Sequence, residues 1–207
     1  MAIPAVRVAL WLAGVRLRVV GRERLRAGQN YLFMPNHQSN VDAPVVLLAL
    51  GRDARMMAKA SLFRIPLLGQ ALRLAHFVPI VREDREAAIA SVGQAAEALR
   101  RGLDFVVFPE GTRSRDGQLL ELKKGPFFMA LEGGVPVVPV RIDGSRRVMR
   151  RGERVIHPGH VDVQILEPID PAPLGGPEEA RREQVRERVR SALQPSLTGP
   201  ASCVTPE

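Results

Sequence analysis

The segment Asn36-His37-Gln38-Ser39-Asn40-Val41-Asp42 sets an imidazole five residues before a carboxylate, and Phe108-Pro109-Glu110-Gly111-Thr112-Arg113-Ser114 adds a glycine turn beside an arginine. A hydroxyl is a poor nucleophile near neutral pH, so making it attack requires a base that takes its proton as the new bond forms. Imidazole, with a free pKa of about 6.5, suits that task, and a carboxylate on its other nitrogen would fix the tautomer and stabilise the imidazolium. His37 is the best candidate base among the four histidines, with Asp42 as its orienting carboxylate. Five residues do not span one helical face, so the pair meets only if His37 lies in a turn and Asp42 begins the next helix. The plainer alternative makes Asp42 a helix cap and His37 a turn residue, since this spacing alone is common. Gly111 lets the backbone approach a ligand closely, and Arg113 offers a fork for an anionic group. The two segments together describe the deprotonation of a hydroxyl on a substrate that carries an anion.

Elements of the right kind flank both segments. Residues 29–35 read as a short buried strand entering the first, and Asp42 to Leu50 reads as a helix with Pro44 in its first turn, where a missing N–H is harmless. A strand over Arg55 to Ala58 precedes helical pieces broken by Pro66 and Gly69, and Phe77 to Val81 reads as an edge or short strand. From Arg85 to Arg101, Ala88, Ile89, Val92, Ala95, Ala96 and Leu99 recur at helical spacing, with Gly102 as the stop. Phe105 to Phe108 reads as the strand delivering the second segment. A helix over Lys123 to Leu131, a buried strand over Val135 to Ile142 and an alternating strand over His160 to Leu166 follow. The order implies one α/β domain, a mixed and mostly parallel sheet covered by helices, with an interfacial helix at the N-terminus. The expected division is 1–20 for that membrane-surface helix, 21–168 for the catalytic domain, 169–194 for a linker and charged helix, and 195–207 for a disordered tail.

Composition narrows the classes. The 207 residues suffice for one core without cross-links, and Cys203, the only cysteine, excludes an internal disulfide or a thiolate metal cluster. No metal site is expected. Thirty Lys plus Arg against twenty-two Asp plus Glu give a formal charge of +8. That charge suits nucleic acid, an anionic leaflet or phosphorylated small molecules. One Tyr, one Trp and seven Phe do not make a base-stacking platform, so nucleic acid is not the expected partner. The apolar run from Val8 to Val15, flanked by Arg7, Arg16 and Arg18, is short of the roughly 20 apolar residues a membrane span needs. It suits a helix lying in the headgroup region with Trp11 as an anchor, at the cytoplasmic face of a membrane. A metal-dependent phosphoesterase would need more His/Asp clusters than the isolated His157 and His160.

NHQSNVD and FPEGTRS resemble the first and third sequence blocks of the glycerolipid acyltransferase family. A second block is matched by Lys59, Ala60-Ser61-Leu62-Phe63, Pro66, Gly69 and Arg82, and a fourth by Val135-Pro136-Val137-Val138-Pro139-Val140. Asn before the histidine and Gln after it resemble the lysophosphatidate branch, whereas His76 stands where the family often has glycine. The resemblance implies direct transfer from acyl-CoA or acyl-carrier protein, as co-substrate and without a cofactor, to the sn-2 hydroxyl of 1-acyl-glycerol 3-phosphate. Another lysolipid or glycerol 3-phosphate is the alternative acceptor, and a basic nucleic-acid- or lipid-binding protein the non-enzyme alternative. It further implies His37 and Asp42 as catalytic residues and Glu110, Gly111, Thr112 and Arg113 as acceptor-binding residues, with Arg82 and Lys59 as further cations. The absence of a GxSxG elbow or a placed cysteine agrees with transfer that bypasses an acyl-enzyme.

Overall fold

The computed structural model describes residues 2–74, 77–81, 84–153 and 155–194. Arg82, His76, Cys203 and the segment 195–207 lie outside them. In chain order the elements are α1 (Ala2–Leu12), β1 (Val15–Val20), β2 (Leu32–Pro35), α2 (Asp42–Leu50) and β3 (Ala54–Lys59). A short 3₁₀ segment (Ala60–Arg64) leads to α3 (Leu68–Leu74), β4 (Val78–Ile80), α4 (Arg85–Arg100), β5 (Asp104–Val106) and α5 (Lys124–Gly133). The chain closes with β6 (Val137–Asp143), α6 (Ser145–Val148), β7 (Gly159–Ile165) and α7 (Glu178–Leu193).

The seven strands form one sheet in the order β1-β7-β6-β2-β5-β3-β4. All neighbours are parallel except β6 and β7, which run antiparallel. β2 sits in the middle because all four of its residues are apolar and buried, as a strand covered on both faces requires. α1 and α2 cover one face, setting Leu10, Val45, Val46, Ala49 and Leu50 against Phe33, Val138 and Val163. α4, α5 and α7 cover the other, where Ala95, Leu99, Phe127, Met129, Val185 and Val189 meet Leu32, Met34 and Phe105.

The single-domain α/β sheet matches the expectation, with one correction of extent. The N-terminal helix does not run over residues 1–20. It ends at Leu12, Gly14 turns the chain at φ +71°, and Val15–Val20 is β1, paired from Val15 opposite Gly159 to Val20 opposite Gln164. Arg16 and Arg18 are exposed while Leu17 and Val19 are half-buried, an alternation of period two suited to an edge strand with one wet face. The charged helix of the 169–194 segment is α7, packed on the sheet. Val185, Val189 and Leu193 of α7 are buried in the second cluster, and the Arg141 guanidinium of β6 donates to the Ala192 carbonyl at 2.6 Å.

Because β2, β5, β3 and β4 are parallel, the segments leaving their C-terminal ends all emerge at one end of the sheet. Open parallel sheets bind their ligands at that end. His37 leaves β2 there, and Glu110 follows β5.

Candidate active site

The turn after β2 is organised around one buried carboxylate. Asp42 is wholly buried at the first position of α2, with Val41 as the residue before the helix. Its side chain does not cap its own helix but turns back. Oδ2 accepts the backbone N–H groups of Gln38 at 2.6 Å and Ser39 at 2.7 Å, and lies 2.9 Å from His37 Nδ1. An ionised carboxylate is an acceptor only, so this contact selects the tautomer with hydrogen on Nδ1 and leaves the lone pair on Nε2. His37 lies flat against Phe108, ring centroids 3.9 Å apart and planes 21° apart, and its side chain is 15% exposed. The ring is thus fixed by a hydrogen bond on one edge and a stack on one face, with some solvent access left.

Glu110 holds the same turn from the other side. It is 2% exposed; Oε1 accepts the His37 backbone N–H at 2.6 Å and Oε2 accepts the Leu120 N–H at 2.9 Å. Burial pushes this carboxyl up to about 7, while the two N–H groups pull the other way and the Asp42 charge adds to the rise. The His37 carbonyl accepts the Ser114 N–H at 2.8 Å, so the two sequence segments are joined through main-chain atoms as well.

Arg113 is brought to this turn: its guanidinium donates to the Asn40 side-chain carbonyl, and the Arg113 carbonyl accepts from Arg151 Nη1 at 2.9 Å. Partial burial lowers its pKa from the ordinary guanidinium value, the Arg151 charge lowers it further, and Asp42 opposes both. Gly111 adopts φ +69°, the left-handed turn expected of it, and Thr112 is exposed beside it. Lys59 ends β3 at the same end of the sheet, exposed to solvent. An apolar cavity of about 370 Å³ opens beside the turn, lined by Met57, Ile80, Val92, Phe108, Pro109 and Met129, with Glu110 to Thr112 and Lys123 at its polar end.

Sequence reasoning missed several supports. Asn36 clamps the end of β2 to β6, accepting the Ile142 N–H at 2.7 Å and donating to the Ile142 carbonyl at 2.9 Å. Ser39 donates its hydroxyl to the Met149 carbonyl at 2.6 Å, tying the turn to the segment after α6. Phe108, which opens the second segment, stacks on His37, a contact its place in that segment does not announce. Asn36 and Ser39 flank the histidine, and that placement was the available signal; Arg151 carried none. Among the described residues, no group of three His, Cys, Asp or Glu lies together that could hold a metal ion, and His157 faces only Glu153 at 3.9 Å.

The structure thus sets a carboxylate-oriented imidazole at the C-terminal end of the central strand of an open α/β sheet, beside an arginine and an apolar cavity. The chain belongs to the acyltransferase family, whose profile, described as "Acyltransferase", matches residues 16–143. It is 34% identical over 164 residues to a 1-acyl-sn-glycerol-3-phosphate acyltransferase of Limnanthes douglasii, covering 79% of this chain and 58% of that one. It is 32% identical over 137 residues to a protein of the same name from Borreliella burgdorferi, covering 66% and 55%. A crystal structure of the 1-acyl-sn-glycerophosphate acyltransferase PlsC from Thermotoga maritima superimposes with a TM-score of 0.77 at 32% identity, covering 92% of this chain and 77% of that one. The chain spans a little over half the length of the curated plant relative named here.

Proposed function

We propose that this chain transfers a fatty acyl group to the sn-2 hydroxyl of 1-acyl-glycerol 3-phosphate, giving phosphatidate, with His37 as the general base. The observation that carries this reading is the 2.9 Å contact between His37 Nδ1 and the buried Asp42, which directs the Nε2 lone pair at an acceptor hydroxyl. Nε2 takes the hydroxyl proton as the oxygen attacks the thioester carbonyl of acyl-CoA or acyl-carrier protein. The tetrahedral intermediate collapses with loss of the thiolate, and the imidazolium returns the proton to that sulfur. Asp42 stabilises the transient imidazolium without itself taking a proton.

Arg113 suits the acceptor phosphate through its planar fork, with Lys59 and Arg82 as further cations and Gly111 and Thr112 shaping the approach. Glu110 contributes by holding the His37 backbone, since both its oxygens are engaged by main-chain N–H groups. The apolar cavity beside Phe108 suits an acyl chain. α1, with Trp11 74% exposed, suits the surface of the cytoplasmic leaflet from which such an acceptor is drawn. No helix among the described residues is long and apolar enough to cross a membrane. The names of the relatives favour lysophosphatidate over other lysolipids.

The test is thiol release from acyl-CoA by purified protein, with lysophosphatidate, glycerol 3-phosphate or lysophosphatidylcholine as acceptor and the product mass confirmed. Release with lysophosphatidate alone, giving phosphatidate, is the expected result. Release only with glycerol 3-phosphate would replace the acceptor, and no transfer from either CoA or carrier-protein thioesters would overturn the reading.

A further inference from the structure

The stretch between Asp53 and Glu83 contains no acidic residue, while Arg55, Lys59, Arg64, Arg73 and Arg82 all fall within it. Within that stretch the connection from β3 through α3 turns its apolar side chains outward. Leu62, Ile65, Leu67 and Leu68 are 36%, 46%, 79% and 41% exposed, and Leu74 is 81% exposed. Leu67, Ala71 and Leu74 recur at four- and three-residue spacing, so the stripe that would normally face a core faces solvent instead. The outward turn is built in. Leu67 has φ +63°, the only non-glycine residue with a positive φ among those described, a conformation that disfavours a branched side chain. Gly69 packs so tightly that a Cβ there would sit 2.2 Å from the Phe63 carbonyl oxygen, and the same oxygen accepts from Arg73 Nη2 at 3.0 Å. A left-handed backbone at Leu67 and close packing at Gly69 thus accompany the exposed leucines.

Surfaces elsewhere differ. The exposed faces of α4 and α7 interleave acids with arginines, as in Glu97 with Arg100 and Arg101 or Glu183 with Arg186. An apolar ridge within a stretch whose charged residues are all basic fits one kind of partner, an anionic phospholipid surface into which leucines insert while arginines meet phosphates.

Topology agrees. The segment leaves β3 at the sheet end where His37 leaves β2, because β3, β5 and β2 are parallel. α1 reaches that end too: it precedes β1, which runs with β7 and hence against β6 and β2. α1, with Trp11 and Leu12 74% and 72% exposed, stands at the β1 edge and the leucine ridge at the β3–β4 edge, with the His37 turn between them. We propose that the Ala60–Leu74 segment is a second membrane contact, inserting Leu67 and Leu74 into an anionic leaflet so that the site is held against the bilayer from both sides. The inference rests on the reading above in taking the acceptor to be a membrane lipid.

The test places a tryptophan at the ridge, as Leu67→Trp in a Trp11→Phe background, and mixes the protein with phosphatidylglycerol vesicles whose acyl chains carry bromine. Emission should shift to the blue and be quenched. Vesicle-bound protein with water-like, unquenched emission would overturn the proposal, as would a blue shift that depends on protein concentration without vesicles, which would make the ridge a contact between copies of this chain. In the otherwise native chain, Leu67→Asn with Leu74→Ser should weaken vesicle binding about tenfold and leave thiol release with a water-soluble, short-chain lysophosphatidate unchanged. Unchanged vesicle affinity would also overturn it. Quenching in a protein that transfers no acyl group would leave the membrane contact standing and reject the acyltransfer reading alone.

Discussion

The two ring nitrogens of His37 face different surroundings, and the proposed chemistry follows from that difference. Nδ1 is committed to Asp42 and Nε2 is free to take a proton, so His37→Ala should lower turnover by at least ~100-fold; steady-state kinetics on a variant with unchanged far-UV circular dichroism checks this. Arg113→Ala should instead raise the acceptor KM, and Arg113→Lys should recover the loss only in part because it restores the charge without the fork. An acceptor KM that does not move would reject the phosphate role. Glu110 makes a prediction about stability. Burial raises its pKa from 4.5 to about 7, so between those values the folded chain holds a proton that the unfolded chain has released. Stability therefore falls as pH rises through that window, at up to about 1.4 kcal/mol per pH unit, and levels off above it. Urea titrations across the window should show this decline in the wild type and a flatter profile in Glu110→Gln, whose amide also leaves one of the two N–H groups without an acceptor. A variant that keeps the full decline would assign it elsewhere. The meeting of His37 with Asp42 was legible because a five-residue spacing brings the pair together only across a turn and a helix start. The inward aim of Glu110 was not, since a glutamate beside a glycine turn reads equally as a ligand for substrate or for main-chain N–H groups.

Among the elements, the end of β2 governs the site. Asn36 reaches both main-chain groups of Ile142, so its loss leaves a buried N–H and a buried carbonyl unpaired beside the His37 turn. Asn36→Ala should lower unfolding free energy by roughly 2 kcal/mol or more and lower kcat as the turn loosens. A normal denaturation midpoint would show that water replaces the amide. Strongly periodic elements were readable in advance: α4 from its helical apolar spacing, β7 from its alternation, α5 from the glycines that end it. β1 was not. Arg16 and Arg18 alternate with Leu17 and Val19 over only six residues, directly after a helix, and so short a period-two signal merges with the helical pattern before it. α6, with four residues, is too short to establish any period.

At the scale of the whole molecule, the proposed membrane contact draws on the net charge of +8 and on two exposed apolar edges together. Binding to anionic vesicles should weaken severalfold as salt rises from about 0.05 to about 0.5 M, because screening shortens the reach of the arginines, while a residual apolar component persists. Cosedimentation across that range measures both parts, and salt-independent binding would remove charge from the account. One feature of the sheet also bears on timing. β1 lies at the sheet edge beside β7, the last strand in chain order. During synthesis, residues 15–20 therefore emerge early and wait for residues 159–165, a long-range closure that is slow to form. α1 is made ahead of the strands of this sheet, and until β7 arrives the strand that follows it has no place in the sheet. With α1 as the proposed membrane contact, a nascent chain thus offers its exposed tryptophan to a nearby surface well before the His37 turn is complete, and the order of synthesis favours arrival at the surface ahead of the proposed activity.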